Sequence, residues 1–368
     1  MKKKILTVVG TRPEIIRLSS IIKRLNKTFD HKILFTGQNF SKSLSDYFFK
    51  NFSVKPNFHL RISNSNSIHA ISDVFRKIDP ILDKIKPDAL FILGDTNSAL
   101  CSIVAKKKKI PIFHYEAGNR CFDDRVPEEL NRKIIDVVSD VNLTYSLSSK
   151  NNLLKEGKNS DFVYNIGSPL KEVFDDNIFQ INKNNILQKL NLKEKNYILL
   201  SLHREENIDD SKRFKKMIEA INFLATRINK KVIFSCHPRT IKKFTNHKYK
   251  RIEIHKPFDF FAYNALQKSS LITISDSGSI SEESYILKFP AINFRQTHER
   301  HEAMEKGIVT MSNINKEDLF FSYKIALKNN LSDTYLEDYE QKNVSSKIVT
   351  IINSYISYIK RKKYYLDG

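Results

Sequence analysis

Residues 1–25 read MKKKILTVVGTRPEIIRLSSIIKRL. The β-rich run ILTVV (5–9) predicts a strand, and Gly10 ends it. Thr11 and Glu14 then have the T-x-x-E spacing of a capping box, and Pro13 suits a first helical turn. A helix therefore starts here, amphipathic from Pro13 to Leu25, with its free N–H groups at the strand's end. Because the chain opens as a strand, MKKKILTVVG lacks the cleavage region of a signal peptide.

Working outward, the same βα unit recurs. Further strands are expected at KILFT (32–36), ALFIL (89–93), IPIFHY (110–115), VNLTY (141–145) and FVYNI (162–166), with a helix over Ser67–Ile85 between them. The pattern restarts with YILLSLH (197–203), VIFSCH (232–237), RIEIH (251–255), LITIS (271–275) and AINF (291–294). Alternation of this kind predicts an α/β protein with two successive parallel sheets. The expected domains are 1–168 and 169–344, joined through the polar stretch near 167–195, with a helix over 345–368 packing back on the first domain.

A chain of 368 residues, 40% hydrophobic and 28% charged, suits a two-domain globular protein. No apolar run approaches the ~18–20 residues of a membrane span, so a cytoplasmic protein without membrane insertion is expected. Cys101, Cys121 and Cys236 are odd in number and widely spaced, which fits reduced thiols better than a disulfide framework or a metal site. The net charge of +21 raises nucleic acid as a partner. The basic residues are spread along the chain, however, and the one dense run, Lys106–Lys109, falls between a helix and a strand, where a solvated loop is the ordinary expectation. No nucleic-acid partner is expected; peripheral contact with an anionic membrane face stays open, and a homodimer is the expected assembly.

Polar residues gather where the strands end, the edge at which open α/β sheets bind ligands. Gly10, Gly37, Gly94 and Gly167 close strands, and Gly118 follows one closely. Arg12 stands at the first helix start. Asp95 follows ALFIL, Glu116 follows IPIFHY, and Glu128 and Glu129 open the next helix. An acid at a strand end is commonly a solvated turn, but several converging on one edge point to a site. His203 and His237 each follow an apolar strand of the second half. The run Asp276-Ser277-Gly278-Ser279-Ile280-Ser281-Glu282-Glu283 pairs Ser279 with Glu282 at capping-box spacing, and Gly278 admits an anion to the backbone. It is the chain's best diphosphate cradle.

Taken in order, GTRPE, GDT, HYEAGNR, VPEELNR, LHREE, HPRT, SDSGSISEE and HERHE, from residue 10 to about 305, resemble the motif series of the non-hydrolysing UDP-N-acetylglucosamine 2-epimerases. The resemblance implies GT-B architecture, two Rossmann-like doubly wound domains with the active site in the cleft between them. It implies catalytic roles for Asp95, Glu116, Glu128 and His203, and a UDP-sugar site drawing on Arg12, Arg132, His237, Ser277, Gly278, Glu283 and Arg300, with no metal and no cofactor. One segment departs from the family's mainstream. Asn119-Arg120-Cys121-Phe122-Asp123-Asp124-Arg125-Val126 resembles the branch that makes UDP-N-acetyl-L-fucosamine, for capsule or O-antigen, from UDP-2-acetamido-2,6-dideoxy-L-talose. On that resemblance Asn119, Arg120 and Phe122 are expected to select the sugar.

The chemistry suits these residue types. C2 of a 2-acetamido sugar is not α to a carbonyl, so inversion there needs either transient oxidation of a neighbour or loss of the C1 substituent. The dinucleotide fingerprint that oxidation would call for is absent from the sequence. Expulsion of UDP acidifies C2–H and places charge on the diphosphate, where helix N-termini and arginines stabilise it. Carboxylates on opposite faces of C2 can then exchange the proton. Which carboxylate is acid and which is base stays open. So do a UDP-N-acetylglucosamine/UDP-N-acetylmannosamine epimerase, a GT-B glycosyltransferase and, from charge alone, an RNA- or membrane-associated binding protein.

Overall fold

The computed structural model describes residues 2–37, 49–63, 66–236, 238–241, 244, 249–329 and 331–366. The chain divides into two compact units, Met1–Val173 with Glu340–Gly368, and Phe174–Tyr339.

In the first unit β1 (Lys4–Val9), β2 (Asp30–Phe35), β3 (Phe58–His59), β4 (Ala89–Leu93), β5 (Ile112–Tyr115), β6 (Val141–Thr144) and β7 (Val163–Asn165) form a sheet in the order β3-β2-β1-β4-β5-β6-β7. Every pairing is parallel. Helices cover both faces, so a central strand such as ALFIL is buried along its whole length and is apolar without alternation. The helix Ser67–Ile85 shows the complementary pattern. Ala70, Val74, Ile78, Leu82 and Ile85 recur at helical spacing and are buried, while Asn66 caps the start by accepting from His69 N–H at 2.8 Å.

The second unit repeats the plan with β8 (Tyr197–Leu202), β9 (Lys231–Cys236), β10 (Ile252–His255), β11 (Ile272–Ser275), β12 (Ala291–Asn293) and β13 (Thr310–Met311), ordered β10-β9-β8-β11-β12-β13. These pairings are also parallel. In each sheet the order reverses beside the first strand, at β1/β4 and at β8/β11. This is where an open α/β sheet leaves a crevice at its C-terminal edge.

The helix Val344–Tyr364 belongs to the first unit, against the helix Arg12–Thr28. Its stripe Val344, Ile348, Ile352, Ile356 and Ile359 is buried. Lys360 Nζ meets Asp88 at 2.6 Å and Tyr364 OH donates to Asp140 at 2.8 Å. Two of the dense lysines are also paired: Lys106 contacts Asp140 at 2.6 Å, and Lys108 contacts Asp79 and Asp83 at 2.9 and 2.5 Å. Among the described residues no helix is long and apolar enough to cross a membrane.

Candidate active site

The crevice of the first sheet is built around a carboxylate that the sequence presented only as a cap. Glu14, buried in the first turn of Arg12–Thr28, accepts from Thr11 N–H at 2.7 Å and from Gly10 N–H through one oxygen. Its other oxygen accepts from Thr96 Oγ1 at 2.7 Å, so it ties the end of β1 to the end of β4. Gly10 is required by close approach: a Cβ there would lie 2.1 Å from Ser98 Oγ. Burial pushes the Glu14 carboxyl up to about 7, against the pull of these hydrogen bonds.

An acid whose folded-state pKa is raised binds a proton on folding between its unfolded value, 4.5, and about 7, so this group makes stability fall as pH rises through that window. A Gln here can accept from the two backbone N–H groups and donate to Thr96, as the protonated acid does. Denaturant midpoints of Glu14→Gln followed from pH 4.5 to 8 should therefore lose the part of the wild-type decline that this carboxyl causes. An undiminished decline would assign it to other groups.

Asp95, one residue past Gly94, accepts from Arg132 Nε at 3.0 Å and Nη2 at 2.6 Å, and its carbonyl accepts from Asn131 at 3.0 Å. Arg132 also holds the fully buried Glu129 at 2.9 Å. Glu129 in turn receives Cys121 N–H and Phe122 N–H, both at 3.2 Å. Arg132, expected at the nucleotide, thus spends these donors inside the unit as a brace between Asp95 and the 119–122 segment. Its helix, Pro127–Val138, turns Glu129 inward and leaves Glu128 exposed on the first turn.

Glu116 follows β5 with φ 69°, an uncommon conformation for a residue with a side chain. Its carboxylate lies over Gly94, within 3.4 Å of where a Cβ would stand, and receives Asn119 Nδ2 at 3.2 Å. Glu116 thus lies over the glycine that directly precedes Asp95 in the chain. Asn119 is buried and fixed by Ser149 Oγ at 2.8 Å. Phe122 is 70% exposed.

Arg120 is a correction. Expected to contact a sugar, it is 0% exposed. It donates to Glu156 at 2.8 and 2.6 Å and to the Asn119 carbonyl at 2.7 Å, and pairs with Asp136 at 2.8 Å. Asp136 also meets His114 Nδ1 at 2.9 Å. This guanidinium clamps the segment from within.

The second sheet repeats the bridging device. Asp276, past β11 and fully buried, accepts from His203 N–H at 3.1 Å, Arg204 N–H at 3.1 Å and Asn207 Nδ2 at 3.0 Å across the end of β8. His203, half exposed, also sets Nδ1 3.1 Å from Asp276. Burial opposes ionisation of Asp276, but His203 and these donors hold its carboxyl at about 2. The helix Ile280–Leu287 follows. The capping box expected from Ser279 and Glu282 does not form: Ser279 has helical angles, φ −70° and ψ −15°, and its hydroxyl reaches Glu283 instead at 2.8 Å. Ser277 Oγ meets Ser279 Oγ at 2.9 Å, and Glu283 also accepts from Gln267 at 2.6 Å. Arg300, expected at the nucleotide, is 3% exposed and turned inward to Glu282 at 3.3 Å. Arg12 is exposed at the first helix start, and His237 lies outside the described residues.

The UDP-N-acetylglucosamine 2-epimerase family model matches residues 23–353. The chain belongs to that family. It is an isomerase, and the α/β GT-B fold expected from the motifs is shown by the family's solved structures. The UDP-N-acetylglucosamine 2-epimerase from Rickettsia bellii is 39% identical over 99% of this chain and 100% of its own, with a TM-score of 0.93. The enzyme from Methanocaldococcus jannaschii, solved with UDP-GlcNAc and UDP, is 33% identical over 95% of this chain and 99% of its own, with a TM-score of 0.88. A UDP-2,3-diacetamido-2,3-dideoxy-D-glucuronate 2-epimerase from Pseudomonas aeruginosa is 28% identical over 90% of this chain and 94% of its own. Members of the family thus differ in the sugar they take.

Proposed function

We propose that the chain inverts C2 of a UDP-linked 2-acetamido sugar by expelling UDP and adding it back through a 2-acetamidoglycal, acting in the cytoplasm as a homodimer. The observation that carries this proposal is the Glu116 carboxylate lying over Gly94 at the end of β4, where the next residue, Asp95, is held by Arg132 at the switch point of the first sheet. Asp95 is steadied by Arg132 and Glu116 by Asn119, so two carboxylates in different surroundings stand ready to hold and release a proton. Glu128 adds an exposed acid on the neighbouring helix. In the second unit His203, oriented by Asp276, is the proposed catalytic side chain. Ser277, Gly278 and Glu283 hold the diphosphate and ribose, with Arg12 at the nucleotide. Turnover in deuterium oxide followed by NMR tests the route, since elimination hands the C2 proton to a side chain. Retention of the original hydrogen would mean an intramolecular or redox path.

The finer proposal is that the substrate is UDP-2-acetamido-2,6-dideoxy-L-talose, giving UDP-N-acetyl-L-fucosamine for capsule or O-antigen. Its support is the 119–126 segment, whose Cys121 and Phe122 N–H groups connect through Glu129 and Arg132 to Asp95. With Arg120 and Asn119 buried and engaged inside the unit, the exposed Phe122 ring remains to meet the sugar and suits a C6 methyl group. A second reading, UDP-N-acetylglucosamine itself, is favoured by the names of the Rickettsia and Methanocaldococcus relatives. An apolar contact rejects an extra hydroxyl by only roughly 10²-fold. The expected result is therefore a higher kcat/KM for the L-talose sugar with measurable turnover of UDP-N-acetylglucosamine; a preference for the latter would leave only the second reading.

A further inference from the structure

At the cradle of the second unit an anion is already in place, and it belongs to the chain. A Cβ built on Gly278 would lie 2.2 Å from Glu299 Oε1 and 3.7 Å from Arg295 Nη1, so the Glu299 carboxylate rests against the glycine backbone. Glu299 Oε2 pairs with Arg295 Nη2 at 2.9 Å, and Oε1 faces Arg204 Nη2 at 3.5 Å. Arg295 is only 3% exposed, yet its Nε and Nη1 have no hydrogen-bond partner among the described residues. A buried guanidinium with two idle donors is costly and rare in native proteins. The mismatch is one of counting: one carboxylate divides two oxygens between two arginines, whereas a diphosphate brings several more acceptors of greater charge.

We propose that Glu299 is an internal stand-in for the substrate's diphosphate, and that a bound nucleoside diphosphate displaces it from Arg295 and Arg204. The inference rests on the UDP-sugar reading above. The exchange keeps the two guanidinium groups pre-set at the place where charge grows as the bond from C1 to the diphosphate breaks, and it supplies partners for Arg295 Nε and Nη1. Gly278 is needed because any side chain there would collide with the anion, whichever anion it is. Arg295 and Glu299 are thereby positioning residues for the leaving group.

Calorimetric titration with UDP and with uridine, on wild type, Glu299→Gln, Arg295→Met and the double variant, tests the exchange. Removing the competing charge in Glu299→Gln should tighten UDP roughly tenfold or more and leave uridine unchanged. Arg295→Met should weaken UDP by about thirtyfold or more, with Arg295→Lys intermediate should the Met variant fold poorly. In the Arg295→Met background the gain from Glu299→Gln should largely vanish, because the two act on one contact. A Glu299→Gln protein that binds UDP no better than wild type, or a gain that persists without Arg295, overturns the inference. Wild type binding uridine and UDP equally weakly would instead overturn the UDP-sugar reading on which it rests.

Discussion

Asp95→Asn and Glu116→Gln are each expected to lower kcat by about 10²-fold or more, the scale of losing a positioned acid or base. The two should fail differently. Arg132 binds Asp95 through Nε and Nη2, both on the single oxygen Oδ2, so an amide at this site can keep the acceptor but removes the negative charge that strengthens the pair. Arg132 would then be drawn more strongly to Glu129, and the 121–122 backbone that Glu129 holds would shift with it. A rise in KM should therefore accompany the loss of kcat in Asp95→Asn. Glu116 receives the Asn119 amide, which a Gln oxygen can still accept, and Asn119 stays pinned by Ser149. Glu116→Gln should lower kcat with KM nearly unchanged. Steady-state kinetics on the preferred UDP-sugar separates the two cases, and kcat within threefold of wild type for both would remove these carboxylates from the reaction.

Arg120→Met should destabilise the first unit by about 3–5 kcal/mol, the usual cost of leaving one member of a buried ion cluster unpaired. Asp136 is left behind at 1% exposure, with His114 and the Gly118 N–H still beside it. Burial opposes ionisation of Asp136, but His114 and Arg120 outweigh it and hold the carboxyl below its ordinary range. A depressed acid contributes stability above its unfolded pKa of 3.8, lost as pH falls through the folded value. The variant should lose part of that acid-side contribution as well. Chemical denaturation at neutral pH gives the figure, and a loss below about 1 kcal/mol would mean that Arg120 is not the clamp its contacts describe.

Much of this was legible in the chain. Strands such as ALFIL are apolar throughout because helices cover both faces, and that continuity survives in sequence. β3 and β13 were not legible, since a two-residue edge strand carries no pattern. Glu14 was visible as a cap, but its bond to Thr96 joins residues 82 positions apart, which only the sheet order brings together. Glu129 was within reach: Arg132 and Asp136, three and seven positions on, lie on the same face of the helix, and that face is buried. The expectation for Arg120 failed because a guanidinium in a polar loop reads as a ligand for something outside. Its partners, Asp136 and Glu156, are distant in sequence and announce nothing.

The helix Val344–Tyr364 carries a consequence for how the protein is made. Its isoleucine stripe is part of the first unit, yet the ribosome must translate all of Phe174–Tyr339 before that stripe exists. At ~5–20 residues per second the interval is on the order of ten seconds or more. Throughout it the outer face of the helix Arg12–Thr28 is without its partner. The second unit, contiguous in the chain, can close as it emerges, while the first waits with apolar surface exposed. Of the two, it is the nascent first unit that should engage chaperones.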